Sequence, residues 1–128
     1  MAIYHLTANV VSRGRGQSVI AVAAYRAGVA LRDTRYGILH NFKIRPGAAE
    51  HAEILAPPHA PSWVSDREQL WNRVEEAELR KDSQLARSVE VGLPLELNAA
   101  GCIALVRDYI AREFLSLGMI AEIGRAHV

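Results

Sequence analysis

An α+β fold, one antiparallel sheet with helices packed on a face, is what the sequence predicts. Three observations predict it. Two-residue and helical periodicities follow one another along the chain. Glycine and proline fall mostly between the periodic stretches. The 128 residues suffice for one core and leave no room for a second. The expected order is strand, helix, hairpin, helix, strand, helix, strand, without internal repeats.

Residues 3–11 alternate, with Tyr4, Leu6, Ala8 and Val10 on one face and His5, Thr7 and Asn9 on the other. That pattern reads as a half-buried strand. Gly14 and Gly16 make Ser12–Gly16 a turn. Ser18 opens an alanine-rich helix, and Gly28 is its expected stop. Tyr36-Gly-Ile-Leu-His-Asn-Phe42 predicts a hairpin around Gly37. Residues 46–61 hold four of the five prolines and are expected to be an extended connection. Ser65 and Glu68 have capping-box spacing, with Leu70, Trp71, Val74 and Ala77 following at helical intervals. Leu85, Arg87, Val89, Val91 and Leu93 share one face of a strand ended by Pro94, and Ala86, Ser88, Glu90 and Gly92 share the other. Asn98 is expected to cap a last helix carrying Ile103, Val106, Ile110, Phe114 and Leu117, closed by Gly118. Met119-Ile-Ala starts a final strand.

Half of the residues are hydrophobic and 23% are charged, the balance of a folded soluble domain. The longest unbroken apolar run, Val19–Tyr25, is too short to span a bilayer, and the first residues lack the pattern of a secretory signal. A lone cysteine, Cys102, excludes a disulfide framework and a structural zinc finger, and suits a reducing cytosol. Net charge is +1, but residues 1–50 carry seven Lys/Arg against two Asp/Glu, and residues 51–128 carry eight against twelve. A basic N-terminal face next to solvated acidic helices could bind a polyanion.

Tyr25 ends the first predicted helix among small residues, with Arg26 adjacent and Arg13 and Arg15 in the preceding turn. A phenol titrates near 10 and attacks a phosphate only when a cation or metal lies close. The competing reading makes Tyr25 an amphipathic residue at the core edge. His5, His40, His51, His59 and His127 include no i,i+2 or i,i+4 pair, so they form no metal motif by spacing. The small neighbours of Glu90 leave space for a ligand or for an overlying helix. Glu75, Glu76, Glu78 and Arg80-Lys-Asp82 read as a solvated helix face. Gly14 and Gly16 lack the rest of a nucleotide-binding glycine loop.

Met1-Ala-Ile-Tyr-His-Leu, Ser12-Arg, Gly16-Gln-Ser, Ala23-Ala-Tyr-Arg-Ala-Gly28, Glu53-Ile-Leu-Ala-Pro, Asp66-Arg-Glu-x-Leu-Trp-Asn72, Arg80-Lys-Asp82, Gln84-Leu-Ala-Arg87, Val89-Glu90 and Leu93-Pro94 follow one another in order. In this succession the chain resembles the MobA/MobL family of plasmid-mobilisation relaxases, within the HUH endonucleases, over roughly residues 1–121. The resemblance implies a central antiparallel sheet flanked by helices and a cytoplasmic bacterial protein. It implies a single-strand DNA transesterase whose nucleophile matches Tyr25 and leaves a 5′-phosphotyrosyl link at an origin of transfer. Arg13, Arg15 and Arg26 are the expected phosphate contacts. A divalent cation, magnesium or manganese, held by three histidines, would polarise the scissile phosphate. Glu90 would orient one of those histidines. Some relatives have a second acid where this chain has Ser88. Accessory mobilisation proteins and a conjugative coupling protein are the implied protein partners. The rival readings are a non-catalytic DNA- or partner-binding module that uses the basic N-terminal face, and a rolling-circle replication initiator.

The chain departs from the family pattern at its end. Relatives continue to an isolated histidine and a His-x-His pair, whereas Glu122-Ile-Gly-Arg-Ala-His-Val128 follows here. A widely used short-read sequencing adapter encodes that heptapeptide in one frame, with a stop codon next. Residues 1–121 are therefore expected to be the N-terminal part of a single relaxase domain, and residues 122–128 a non-native, disordered tail with His127 a decoy. On this reading the metal site lies beyond the truncation, and the fragment binds no cation and is inactive.

Overall fold

The computed structural model describes residues 6–43, 49–78, 80–93 and 96–126. Its strands are β1 (Leu6–Ser12), β2 (Ala30–Asp33), β3 (Ile38–Asn41), β4 (Ala49–Leu55), β5 (Gln84–Val91) and β6 (Ala121–Ala126). Its α-helices are α1 (Val19–Ala27), α2 (Arg67–Ala77) and α3 (Ala99–Glu113). Among the described residues the strands pair as three antiparallel couples, β1 with β5, β2 with β3 and β4 with β6. The fold is α+β, with the expected order plus one strand.

The helix α1 is the hub. Ser18 accepts a hydrogen bond from the Ala21 N–H at its start, and Gly28, at φ 70°, ends it with its N–H on the Ala24 carbonyl. Val19, Ile20, Ala23 and Ala24 meet Val11 of β1, Leu31 of β2 and Leu85 of β5, ringed by Val22, Val29, Phe42, Trp71, Val74 and Ala86. Ile20 and Ala24 are fully buried. Alanines on this helix let three elements approach its axis, which branched residues would hold apart.

The helix covers a face of the β1–β5 pair that hydropathy alone does not select. Val11 opposes Ala86 and Asn9 opposes Ser88 in register. Val11 and Ala86 pack against the α1 core, and Ser88 and Glu90 bond to Arg26 of α1. The more apolar face, with Val89 and Val91, remains about half exposed. The register shifts where Val11 and Ser12 face Ala86 and Gln84, so Leu85 is the extra residue of a bulge on β5, and it is buried.

Several expectations are corrected. The supposed connection 46–61 contains β4, which pairs from Ala49 to Leu55 with β6 before Pro57 and Pro58 end it. The cap of α2 is Asp66, whose carboxylate accepts from the Gln69 N–H and side chain. Ser65 belongs instead to a 3-10 turn and donates to the Ser62 carbonyl. Glu75 is buried and not solvated. The supposed disordered tail is strand as far as Ala126: Ile123 is buried, and Glu122 accepts from Trp71 Nε1 at 2.7 Å and from Arg67 Nε of α2. Asn98 caps α3 as expected, accepting from the Gly101 N–H.

Candidate nucleic-acid site

Tyr25 lies in the last turn of α1 with 45% of its surface exposed. Its ring stands edge-on to Phe42, with centroids 5.4 Å apart and planes at 83°. Phe42 follows the β2–β3 hairpin and is held by its N–H on the Val29 carbonyl. The root of the hairpin therefore sets the attitude of the phenol.

Arg26 extends across to β5. Its Nη1 donates to Glu90 Oε1 at 2.6 Å and its Nη2 to Ser88 Oγ at 3.2 Å. Both charged side chains stay open to solvent, 42% and 50% exposed. The space around Glu90 is thus used by an overlying helix, through its arginine. Two expected site residues, Arg26 and Glu90, come together at this end of α1, and Tyr25 precedes Arg26 in the same turn. Ser88, where some relatives have an acid, serves here as a hydrogen-bond acceptor for the guanidinium.

The other two expected contacts separate. Arg13 is committed to the framework: Nε donates to Glu75 Oε1 at 2.9 Å, Nη2 to the Glu75 carbonyl at 2.8 Å and Nη1 to the Arg80 carbonyl at 2.7 Å. Only 8% of its side chain is exposed, so the expectation that it contacts phosphate is corrected to a structural role. Arg15, in the 3-10 turn Arg13–Arg15, remains exposed.

Histidines do not converge here. His40 lies 4.0 Å from the Asp33 carboxylate in the hairpin, and His51 lies 3.5 Å from Glu53 on β4. His59 is exposed on the loop after β4. His5 and His127, like Tyr4, fall outside the described residues. Among the described residues no group of three His, Cys, Asp or Glu is placed to hold a metal ion.

Sequence reasoning missed a polar stripe on α2. Glu68 Oε1 accepts from the Arg32 N–H at 2.5 Å, and Asn72 bonds the Arg32 carbonyl, the Thr34 N–H and the Thr34 hydroxyl. Glu75 holds Arg35 as well as Arg13. The i, i+4, i+7 spacing of Glu68, Asn72 and Glu75 was the available signal, since it places three polar residues on one helix face.

No helix among the described residues is long and apolar enough to cross a membrane. The sequence profile of the MobA/MobL family matches residues 17–127. Conjugal transfer protein TraA of Rhizobium radiobacter is 42% identical over 132 aligned positions, covering 95% of this chain and 12% of that protein. Mobilization protein MobL of Acidithiobacillus ferridurans is 39% identical over 123 positions, covering 96% of this chain and 32% of that protein. The chain thus spans about an eighth of the TraA relative and a third of the MobL relative. A solved structure described as the molecular basis of vancomycin resistance transfer in Staphylococcus aureus superposes with a TM-score of 0.88 at 32% identity, covering 96% of this chain and 62% of its own. With motifs, fold and profile in agreement over most of its length, the chain belongs to the MobA/MobL family.

Proposed function

We propose that this chain is the nucleophile-bearing part of a DNA relaxase that nicks single-stranded DNA at a transfer origin during conjugative mobilisation. The observation that carries the reading is an exposed tyrosine, Tyr25, next to an arginine, Arg26, that a carboxylate and a hydroxyl hold on the open side of the fold. Conjugal transfer and mobilisation in the names of the relatives support the same role.

In the proposed reaction Tyr25 Oη attacks the scissile phosphorus. An Oη–P bond forms, the bond from phosphorus to the 3′ oxygen breaks, and the phenolic proton is released as the 3′ oxygen is protonated. The DNA keeps a free 3′-hydroxyl and a 5′-phosphotyrosyl link. Arg26 binds a non-bridging phosphate oxygen, since a guanidinium favours the charge that accumulates there. The divalent cation implied by the family would polarise the same phosphate when bound. The described residues do not fit such an ion, because His40 and His51 lie beside separate carboxylates and no group of three donors includes either. No step is assigned to it. Without a divalent cation on the phosphate, a phenol is a weak nucleophile. The 128-residue chain is therefore proposed to bind single strands without cutting them.

The test is covalent capture. In a protein of the relatives' length, Tyr25→Phe abolishes the denaturant-resistant adduct with an origin oligonucleotide and leaves DNA binding and folding intact. An adduct formed by the Phe variant overturns the assignment and moves it to Tyr4, Tyr36 or Tyr109. Incubating the present chain with origin single strand and manganese yields no cleavage; Tyr25-dependent cleavage there overturns the proposed inactivity.

A further inference from the structure

The β2–β3 hairpin has a use beyond carrying Phe42. Its tip is fixed by side chains from three elements. Asp33, almost fully buried, accepts from the Arg35 N–H at 3.1 Å and from Ser18 Oγ at 2.9 Å. Asn72 Oδ1 takes both the N–H and the hydroxyl of Thr34 at 3.0 Å. Gly37, at φ 67°, closes the turn. On this rigid support Tyr36 is 59% exposed, more than Tyr25 or Tyr109, and Ile38 and Leu39 are each 50% exposed. The Arg35 guanidinium lies over the Tyr36 ring, 5.5 Å from its centroid, and is itself held by Glu75 at 2.8 Å.

Charge selects the occupant. Residues 30–43 contain three cations, Arg32, Arg35 and Lys43, and one carboxylate, Asp33, which is buried. On the α2 side, Glu75, Glu76 and Glu78 line a groove with Thr34 and Arg35, and Glu68 bonds the Arg32 backbone. An anion is thus kept to the exposed face of the hairpin on which Arg32 of β2 opposes Leu39 of β3 in register. Exposed aromatic and cationic groups on a pre-ordered turn suit unpaired bases and their phosphates, because stacking needs only a π-face and the turn has no ordering left to lose.

We infer that the β2–β3 hairpin is a second, non-catalytic contact for single-stranded DNA, in which Tyr36 stacks on a base and Arg32 and Lys43 meet phosphates. The strand runs from Tyr25 at the hairpin root, past Lys43 and Leu39, to Tyr36 at the tip. This rests on the reading of the chain as a DNA-handling protein.

The experiment uses the full chain and a fluorescein-labelled mixed-sequence single strand of about 12 nucleotides, followed by anisotropy across a salt series. Tyr36→Ala weakens binding by about 5- to 150-fold without changing the salt slope, as the loss of one stacked base does. Tyr36→Phe restores it, and Arg32→Ala lowers the log–log salt slope by about 0.7. A 5-iodouracil-substituted strand photocrosslinks within residues 30–43 of the wild-type chain. Wild-type affinity in Tyr36→Ala, or crosslinks only outside the hairpin, overturns the hairpin contact while leaving the relaxase reading in place. A wild-type chain that binds no single strand overturns both. Binding of an acidic peptide in preference to the oligonucleotide at the same salt overturns the choice of DNA as the occupant.

Discussion

Two carboxylates in this molecule hold arginines in nearly the same way and end up with different roles. Glu75 takes Arg13 and Arg35, and its side chain and that of Arg13 are 5% and 8% exposed. Glu90 takes Arg26, with the pair 50% and 42% exposed. Inside, Arg13 cannot leave without stranding a charge, and Arg35, 44% exposed, joins the same carboxylate from the solvent side, so Glu75 fastens the turn before α1, the hairpin tip and α2 into one unit. Outside, water can replace either partner at little cost, as the proposed transfer of Arg26 from Glu90 to a phosphate requires. Burial, more than residue type, separates framework from site.

The largest effect should come from breaking the inner pair. Glu75→Ala should destabilise the chain by about 3–5 kcal/mol in urea unfolding, because it leaves the buried Arg13 guanidinium uncompensated. Glu90→Gln should cost no more than about 1 kcal/mol in the same assay. Comparable losses in the two variants would end the distinction. Next in size, Asp66→Ala should remove about 1 kcal/mol, as an exposed carboxylate whose partner is a helix N–H. That hydrogen bond holds the Asp66 carboxyl below its ordinary value. Its contribution is therefore complete above the unfolded value near 3.8 and is lost as pH falls through the folded one. Arg26→Ala should change stability least of these and appear in DNA binding instead, lowering the single-strand salt slope by about 0.7 for one lost contact. The smallest expected signal belongs to Glu53. A hydrogen bond from Arg107 is the main cause that holds its carboxyl below 4.5, with His51 adding to the effect. Stability from this pair is full above 4.5 and fades as pH drops through the folded value. Arg107→Ala should therefore lose this small contribution at neutral pH, where it is full, and flatten the dependence of stability on pH below 4.5.

Those comparisons also mark what could be read from residues alone. The helices α1 and α3 were legible because Ser18, Gly28 and Asn98 are local signals whose partners lie within one turn. The strand β4 was not, because the prolines after it resemble a linker and its partner, β6, is some seventy residues away. Alternation located two faces on β1 and β5 but not which one α1 covers. The polar face is covered because Arg26 can satisfy Ser88 and Glu90, a long-range choice no window contains. At the site, Arg26 and Glu90 were each named in advance, but their pairing was not. Arg13 was misjudged for the reason Glu75 was: two residues that look solvated apart are buried together.

The contact between α2 and β2 limits how this sequence can change. Glu68 and Asn72 stand where a neighbouring strand would donate and accept, at the N–H and C=O of Arg32. Asn72 also accepts from the Thr34 N–H, and the rise of about 6 Å over four helical residues is close to the roughly 6.6 Å between the Arg32 and Thr34 positions. Helix and strand stay in step for this short distance only. Side chains along it can be exchanged one at a time. A single inserted residue between Glu68 and Asn72 would turn the second contact about 100° away from the strand and open the hairpin edge to other chains. This junction tolerates substitution and resists changes of length.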